Sequence, residues 1–485
     1  MNPAPEKEPQ EVSEEELLLK NDFGKYFHKY GIDYKIESPW LVVGELDFDK
    51  KWVFFLSVLE RDVKPLLDII LPILFFHKVP FKVAQNYEYV RKMNGMWLGP
   101  YEVGKVVVIS LPDEKTAVKL ATELTKITAS FKGPMVQDAL RLGAILFANI
   151  CEVEVNEANE ETGLLINYVP PKSKIPFKID RLYRVKKRKG IIGRYYVPLK
   201  VLRPSAKGDV SWGINMKNWA FSPCVVKQAR AFSFYDNYGR DPIHKLIWQR
   251  HVLEDIQDKV PVPKLIDFCQ KKDDYYLIME FIEGSTLSEE VKKRHTGKTW
   301  MEFTGEAKME ILGLYREAVT IIAALHELGY VHRDVTPSNF IIDKAGKMYL
   351  LDFELTSSIT KGIPDPPHGL GTMGFVSPEQ LKGDKPIFKE DIYSLGALLM
   401  TLITGKHPLE IMGQGQEEGE NNLGTLIEKG PISTLIIRCM DVDPSKRPGI
   451  YQIMQVLDTE IEQIDRGGER NISDIKLLQE ASLIK

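Results

Sequence analysis

Asp334, Asn339 and Asp352 are oxygen-bearing side chains at short, ordered spacing, a set that can hold a metal-bound phosphate and a hydroxyl side by side. The run His332-Arg333-Asp334-Val335-Thr336-Pro337-Ser338-Asn339 follows a helical stretch ending Leu325-His326-Glu327-Leu328-Gly329-Tyr330 and puts a carboxylate and an amide five residues apart on one loop. Thirteen residues beyond Asn339, Leu350-Leu351-Asp352-Phe353-Glu354 offers a second carboxylate at the end of an apolar strand. Transfer of a γ-phosphoryl group needs a carboxylate to orient the incoming hydroxyl, ligands for the metal ions on the phosphates, and a cation on the nucleotide. Asp334 suits the first task, Asn339 and Asp352 suit magnesium, and Lys227 in Cys224-Val225-Val226-Lys227 suits the last, with ATP or GTP as phosphoryl donor.

The elements that must position these groups follow from periodicity. Residues 195–202 and 219–227 read as strands, and from Trp300 onward helical spacing dominates, as in 311–328 and 391–403. A β-rich small lobe therefore precedes a helical large lobe. Upstream, from Tyr26 to Val153, β-rich runs such as 51–58 and 104–111 alternate with helical stretches such as 114–129, which predicts a separate α+β domain. Residues 156–162 are polar, Pro170, Pro171 and Pro176 follow, and 184–189 are basic, so a linker is expected there, either as a solvated connection or as a docking strip for an acidic peptide.

The order of further motifs resembles the protein-kinase family. Ser377-Pro378-Glu379 matches the close of the activation segment, 391–396 the aspartate-led helix of the large lobe, and Arg447-Pro448 the arginine that pairs with Glu379. The resemblance implies that Gly208-Asp209-Val210-Ser211-Trp212-Gly213 forms the loop over the phosphates, with Gly208, Val210 and Gly213 near the nucleotide. It makes Met279 the gate of the adenine pocket and Glu280-Phe281-Ile282 the hinge, with Glu280 and Ile282 binding the base. Departures accompany it. The loop lacks its third glycine, Gln249 stands where a helix glutamate usually meets the lysine, Thr336 replaces a lysine, and Glu354 replaces a glycine. These leave the metal ligands in place but raise a pseudokinase alternative. Arg333 is expected to pair with a phosphorylated activation segment, for which Thr356, Ser357, Ser358 and Thr360 are acceptors.

Composition narrows the class. The 485 residues are 44% hydrophobic and 27% charged, enough for two or three cores, and the net charge of −4 argues against nucleic acid as a partner. Cys151, Cys224, Cys269 and Cys439 lie too far apart for a zinc site or a disulfide scaffold and read as reduced. The apolar stretch 66–76 is interrupted by Asp68 and Pro72 and falls short of the roughly 20 residues that span a bilayer. It reads as a core helix that breaks near Pro72. No secretion signal opens the chain, so a cytoplasmic, membrane-free protein is expected.

A second resemblance concerns the first domain. The segments 52–58, 81–83, Gly104-Lys105 and Phe131-Lys132-Gly133-Pro134 look like the N-terminal lyase domain of class III and class IV lanthipeptide synthetases, whose kinase carries an element similar to Tyr238-Gly239-Arg240-Asp241. That family phosphorylates Ser and Thr of a ribosomally made precursor peptide, eliminates phosphate, and cyclises the product in a third domain for which this chain has no room. Elimination needs a base and cations around the phosphate. Lys82 and Lys105 stand where the family has lysines, as a lyase remnant or as surface lysines. The family's Lys-x-His reads Val53-Phe54-Phe55, and its arginines fall at Met135 and Asn149.

The resulting expectation is an α+β protein: a disordered acidic tail over 1–20, a degenerate lyase-like domain over 21–170, a basic linker over 171–194, a bilobal kinase-like domain over 195–465 with lobes 195–282 and 283–465, and a tail over 466–485. Its function would be Ser/Thr phosphorylation of a precursor peptide, with a separate lyase or cyclase as a further partner. The alternatives are a regulatory Ser/Thr kinase with a sensing N-terminal domain and a non-catalytic scaffold.

Overall fold

The computed structural model describes residues 23–482 except 49–50, 96, 138, 156–160, 169–174, 180–182, 184–189, 206, 220, 234, 237, 296–298, 370 and 414–415. The expected acidic tail and the basic run 184–189 lie outside the described residues. The chain divides into two compact units. One takes Met1–Ser222, Val226–Ile243 and Cys269–Tyr276, the other Pro223–Val225, His244–Phe268 and Leu277–Lys485.

The first unit is built on an antiparallel sheet. After helix α1 (Gly24–Lys29) come strands β1 (Lys35–Glu37), β2 (Trp40–Val43) and β3 (Lys51–Leu56), helix α2 (Val63–Phe76), strand β4 (Phe81–Ala84), helix α3 (Tyr87–Asn94), strand β5 (Val107–Ser110), helix α4 (Glu114–Ile127), and strands β6 (Leu140–Arg141), β7 (Leu146–Val155) and β8 (Glu161–Tyr168). The sheet order is β1-β2-β4-β5-β3-β7-β6, with β8 added to β7. Side chains alternate across a strand, so β3 serves two cores. Trp52, Phe54 and Leu56 join Leu66, Leu67, Ile70, Leu71 and Leu74 of α2 and Leu120 and Leu124 of α4 in the larger one. Val53 and Phe55 point the other way, into a smaller cluster with Val108, Val136 and Phe147. Each such side chain contributes about 1.5–3 kcal/mol by leaving water. Asn86 and Asp113 cap α3 and α4 by accepting the N–H of Tyr89 and Thr116.

The break expected at Pro72 does not occur: α2 runs through it. Proline removes the N–H that would reach the Asp68 carbonyl. That carbonyl lies instead 3.4 Å from Tyr30 Oη, which also donates to the Asp68 carboxylate at 3.0 Å, and Lys29 Nζ holds the same carboxylate at 2.8 Å. The side chain just after α1 thus meets the carbonyl that Pro72 leaves without its helical donor.

The same unit contains a seam. Leu59 N–H donates to Lys132 O at 3.1 Å, Ser57 Oγ donates to Pro134 O at 2.6 Å, and a Cβ on Gly133 would fall 2.2 Å from Ser57 O, so only glycine fits between the two segments. Two cations leave this seam for a loop further along the chain. Arg61 lies 4.9 Å from the ring centre of Tyr235, and Lys132 lies 5.2 Å from that of Phe232. That loop is tied internally by the Asp236 carboxylate, which accepts the N–H groups of Tyr238 and Arg240 and the Arg240 guanidinium. It ends at Asp241, which caps helix α5 (Pro242–Ile256) through the Ile243 N–H at 3.0 Å.

Strands β9 (Tyr196–Arg203), β10 (Val210–Asn215), β11 (Ser222–Ala229), β12 (Leu265–Lys271) and β13 (Asp274–Glu280) form a five-stranded sheet in the order β12-β13-β11-β10-β9. Beyond it, β14 (Gly284–Thr286), β16 (Phe340–Asp343) and β17 (Met348–Leu350) form a small sheet, and β15 (Tyr330–Val331) pairs with β18 (Ser357–Ser358). The second unit is otherwise helical, with α6 (Gly305–Glu327), α7 (Phe388–Thr404), α8 (Pro431–Cys439) and α9 (Ile450–Ser482). Cys224 and Cys439 are buried thiols pushed up to about 11 and about 12 by loss of solvent, which keeps them unreactive. No helix among the described residues is long and apolar enough to cross a membrane.

Pro72 is exposed inside a helix, so Pro72→Ala restores the α2 bond to Asp68 O and is expected to stabilise the protein by about 1–3 kcal/mol, read as a raised unfolding midpoint. An unchanged or lowered midpoint would show that Tyr30 already compensates the lost bond in full.

Candidate active site

A carboxylate becomes useful for chemistry when both its oxygens are aimed. Asp334 lies between β15 and a short turn over Pro337–Asn339. Its Oδ2 accepts from Asn339 Nδ2 at 2.9 Å, its main-chain carbonyl accepts from the same nitrogen at 2.8 Å, and its Oδ1 accepts from Thr372 Oγ1 at 2.7 Å. Spending the Asn339 amide nitrogen on Asp334 leaves its Oδ1 as an acceptor on the side away from that contact. Asn339 O in turn accepts the Leu351 N–H at 2.8 Å, which brings the Asp352 loop alongside. Two hard oxygen donors, the Asn339 amide and the Asp352 carboxylate, are a donor set that fits magnesium.

The backbone around these groups is strained in two places. Arg333 and Asp352 both adopt left-handed φ values, +68° and +59°, which non-glycine residues hold only where their surroundings impose it. At Arg333 the cause is plain. Asp391, fully buried in the first turn of α7, accepts the N–H of His332 and of Arg333 at 2.8 Å each, while His326 Nε2 lies 2.8 Å from its Oδ2. Burial works to raise this carboxyl, but His326 and the converging N–H groups hold it below the ordinary range. At Asp352 the neighbour is His332, whose Nδ1 accepts the Asp334 N–H at 3.3 Å and whose Nε2 lies 3.1 Å from Leu351 O, so the ring carries its proton on Nε2. Its face is packed edge-on by Phe353, with ring centres 5.3 Å apart.

The segment between Asp352 and Thr372 is anchored at several points. Tyr330 and Val331 pair with Ser358 and Ser357, Trp248 Nε1 of α5 donates to Thr356 O at 2.6 Å, and Asp255 of the same helix accepts from Tyr330 Oη at 2.6 Å and Lys361 Nζ at 3.2 Å. Glu379 receives Arg447 through two bonds of 2.6 and 2.9 Å. Burial works to raise its carboxyl, and the guanidinium holds it down.

Three expectations change here. Thr356, Ser357 and Ser358 are each at most 2% exposed, which removes them as accessible phosphate acceptors in this arrangement and leaves Thr360 on the surface. Arg333 is also buried and already occupied, its Nε 2.8 Å from Glu390 and its Nη1 donating to Leu355 O and His368 O. Gly213 does not lie in the β9–β10 turn but inside β10, where a Cβ would meet Val197 O at 2.5 Å and the register shifts by a bulge. Gly208 does lie at that turn, at φ +143° and against Gln228 O, with Val210 opening β10. Lys227 on β11 and Gln249 on α5 are both buried, in different units. Met279 and Glu280 end β13, where the Glu280 N–H donates to Lys264 O and its carboxylate accepts the Lys264 N–H, and Ile282 is buried just after. Thr336 is buried, and its carbonyl accepts the Asn339 N–H at 3.0 Å; Glu354 is half-buried.

In the first unit, register runs Lys82, Val108, Phe55, Phe147 and Arg141 across neighbouring strands. The middle of that row is the small apolar cluster. Lys82 Nζ lies over Trp40 at 4.3 Å and Phe48 at 5.8 Å, and Lys105 Nζ over Phe55 at 5.2 Å, with Glu102 3.4 Å away. Met135 is exposed 3.4 Å from Arg141 Nη1, and Asn149 is buried. The two lysines therefore flank a small buried apolar cluster, and one of them faces a carboxylate. Thr372, Glu390 and His326 carry site geometry that no sequence motif assigned. A hydroxyl residue shortly before Ser377 and the acidic doublet Glu390-Asp391 were the available signals.

Comparison with known proteins agrees with this geometry. Residues 239–457 match the protein kinase domain family, and residues 37–147 match the family described as RamC, N-terminal domain. Similar proteins include serine/threonine-protein kinase F of Synechocystis sp., 27% identical over 272 residues that are 53% of each chain. Serine/threonine-protein kinase C of the same organism is 33% identical over 38% of this chain and 34% of its own length, and serine/threonine-protein kinase PrkC of Bacillus subtilis is 31% identical over 32% and 22%. The chain spans about half the length, or less, of these curated relatives. Two stretches of this chain are thus similar to known families, one to the RamC N-terminal domain and one to the protein kinase domain, and the similar proteins named are serine/threonine-protein kinases.

Two substitutions probe this site. Thr372→Val removes an exposed hydroxyl, so turnover is expected to fall about tenfold, the cost of a hydrogen bond to a charged group, with the unfolding midpoint unchanged. Asp391→Asn should cost about 3–5 kcal/mol at neutral pH, because it removes the buried charge and replaces one of two acceptor oxygens with an NH2 that faces donors. Asp391 is held below its ordinary value of 3.8, so its contribution is complete above that pH and is lost as pH falls through the lower folded value. Urea titrations of both proteins should thus differ most near pH 7 and converge in strong acid.

Proposed function

We propose that this chain phosphorylates Ser or Thr hydroxyls of a ribosomally made precursor peptide, in a lanthipeptide-like modification, and that its N-terminal domain binds peptide or a partner enzyme without eliminating phosphate. The observation that carries the first half is Asp334, whose two carboxylate oxygens are aimed by Asn339 and Thr372. Thr372 Oγ1 stands 2.7 Å from Oδ1, where an incoming Ser or Thr hydroxyl would donate. In the transfer, the substrate oxygen bonds to the γ-phosphorus, the bond to the nucleoside diphosphate breaks, and the hydroxyl proton passes toward Asp334. Asn339 and Asp352 would hold magnesium, which neutralises the phosphate charge. Lys227 would contact the nucleotide phosphates beneath the Gly208 turn, and Met279, Glu280 and Ile282 would receive the base.

The second half rests on electrostatics. A leaving phosphate dianion requires converging cations, and the row that would receive it is apolar, with Lys82 lying over Trp40 and Lys105 facing Glu102. A buried apolar row offers a phosphate no converging cations. A second reading, a regulatory kinase acting on folded proteins, is supported by the relatives being serine/threonine-protein kinases.

Incubation with magnesium, ATP or GTP and precursor peptides encoded nearby should add about 80 mass units per site, and Asp334→Asn should abolish the addition. No added mass with either nucleotide sinks the enzyme reading. Peptide that loses about 18 mass units relative to its unmodified form, with this protein alone, overturns the loss of elimination. Transfer to folded proteins but to no peptide favours the regulatory reading.

A further inference from the structure

Burying an ion pair costs several kcal/mol per ion in desolvation, and a buried charge that loses its partner is strongly destabilising. Arg333 and Glu390 are such a pair, 2.8 Å apart with their side chains 1% and 0% exposed. Glu390 Oε1 has no hydrogen-bond partner among the described residues, so the carboxylate serves the guanidinium rather than a wider network. Burial works to raise this carboxyl, and the Arg333 guanidinium 2.8 Å away opposes that rise and favours the charged form.

What Arg333 does with its remaining donors matters for the reaction. Nη1 reaches Leu355 O at 3.4 Å and His368 O at 3.0 Å, so one guanidinium clips together both ends of the segment between them. Leu355 follows Asp352 by three residues, and His368 precedes Thr372 by four. The clip therefore sets the positions of one magnesium ligand and of the hydroxyl on Asp334. In this arrangement Thr356, Ser357 and Ser358 are closed off inside the segment, and the guanidinium has no room for an outside anion.

We propose that Glu390 is a positioning residue for phosphoryl transfer: it supplies, from the first turn of α7, the negative charge that holds Arg333 on Leu355 and His368, so the activation segment is ordered without a phosphorylated side chain. The proposal rests on the phosphotransfer reading above. It makes the kinase domain active as translated, with control left to substrate delivery instead of to a modification of the segment.

The test uses the full chain, treated with a phosphatase and shown by intact mass to carry no phosphate, assayed with magnesium ATP on a Ser/Thr peptide library. Turnover should stay within about twofold of the untreated protein, and Thr360→Ala, at the one exposed acceptor of the four, should match wild type. Glu390→Gln keeps the shape and removes the charge. Its turnover should fall about tenfold or more with the nucleotide KM unchanged, and backbone hydrogen exchange should quicken in 355–368 while α7 stays protected. Activity that vanishes on dephosphorylation and returns on rephosphorylation overturns the proposal. So does Glu390→Gln with wild-type turnover, or with exchange raised evenly over the whole large lobe. If wild type transfers no phosphate, the phosphotransfer reading fails by itself, and exchange confined to 355–368 or unchanged there still decides for or against the clip.

Discussion

One fully buried carboxylate organises the catalytic half of this molecule. Asp391 faces inward from the start of α7, and the only way to satisfy it is to draw two consecutive N–H groups and an imidazole onto it. Meeting that demand bends the chain at Arg333 into a left-handed turn. The turn sends the Arg333 side chain inward to Glu390 and presents the next residue, Asp334, toward Thr372 and Asn339. Loop geometry that looks like a property of the site is thus inherited from the electrostatics of the helix beneath it. A site built this way resists reorganisation, since moving Asp334 would orphan polar groups several residues away.

The first domain shows the opposite relation between fold and chemistry. Its sheet, its two covering helices and the tight approach of Gly133 to Ser57 are all in place, and the row across β4, β5, β3 and β7 is buried and apolar between Lys82 and Arg141. Val53 and Phe55 stand where the resemblance would place cationic groups, and the pleat puts both on the same face, in one apolar cluster. A scaffold can be retained for its shape once its reactive groups are gone.

Much of this was legible in the residues. Short motifs singled out Asp334 with Asn339 and Glu379 with Arg447, pairs that are hydrogen-bonded in the structure, and the β-rich runs 51–58, 104–111, 195–202 and 219–227 overlap β3, β5, β9 and β11. Contacts made across the chain were less legible. Arg333 and Glu390 are 57 positions apart, and nothing local distinguishes an arginine awaiting a phosphate from one already paired. Gly213 resembled a loop glycine because hairpin register is set by pairing with β9, which spacing alone does not reveal. Pro72 looked like a helix end, and only Tyr30, 42 residues earlier, explains why the helix continues.

The seam between residues 57–61 and 131–134 bears on how such proteins diversify. Arg61 and Lys132 rest on Tyr235 and Phe232, which belong to the loop leading into α5, so this compact unit closes through residues about a hundred or more positions apart. Recombination at the linker alone would strand two aromatic rings against a foreign surface. An exchange of the segment around 57–134 that keeps this packing has to keep Phe232 and Tyr235 with it. The compact unit is therefore interrupted in sequence.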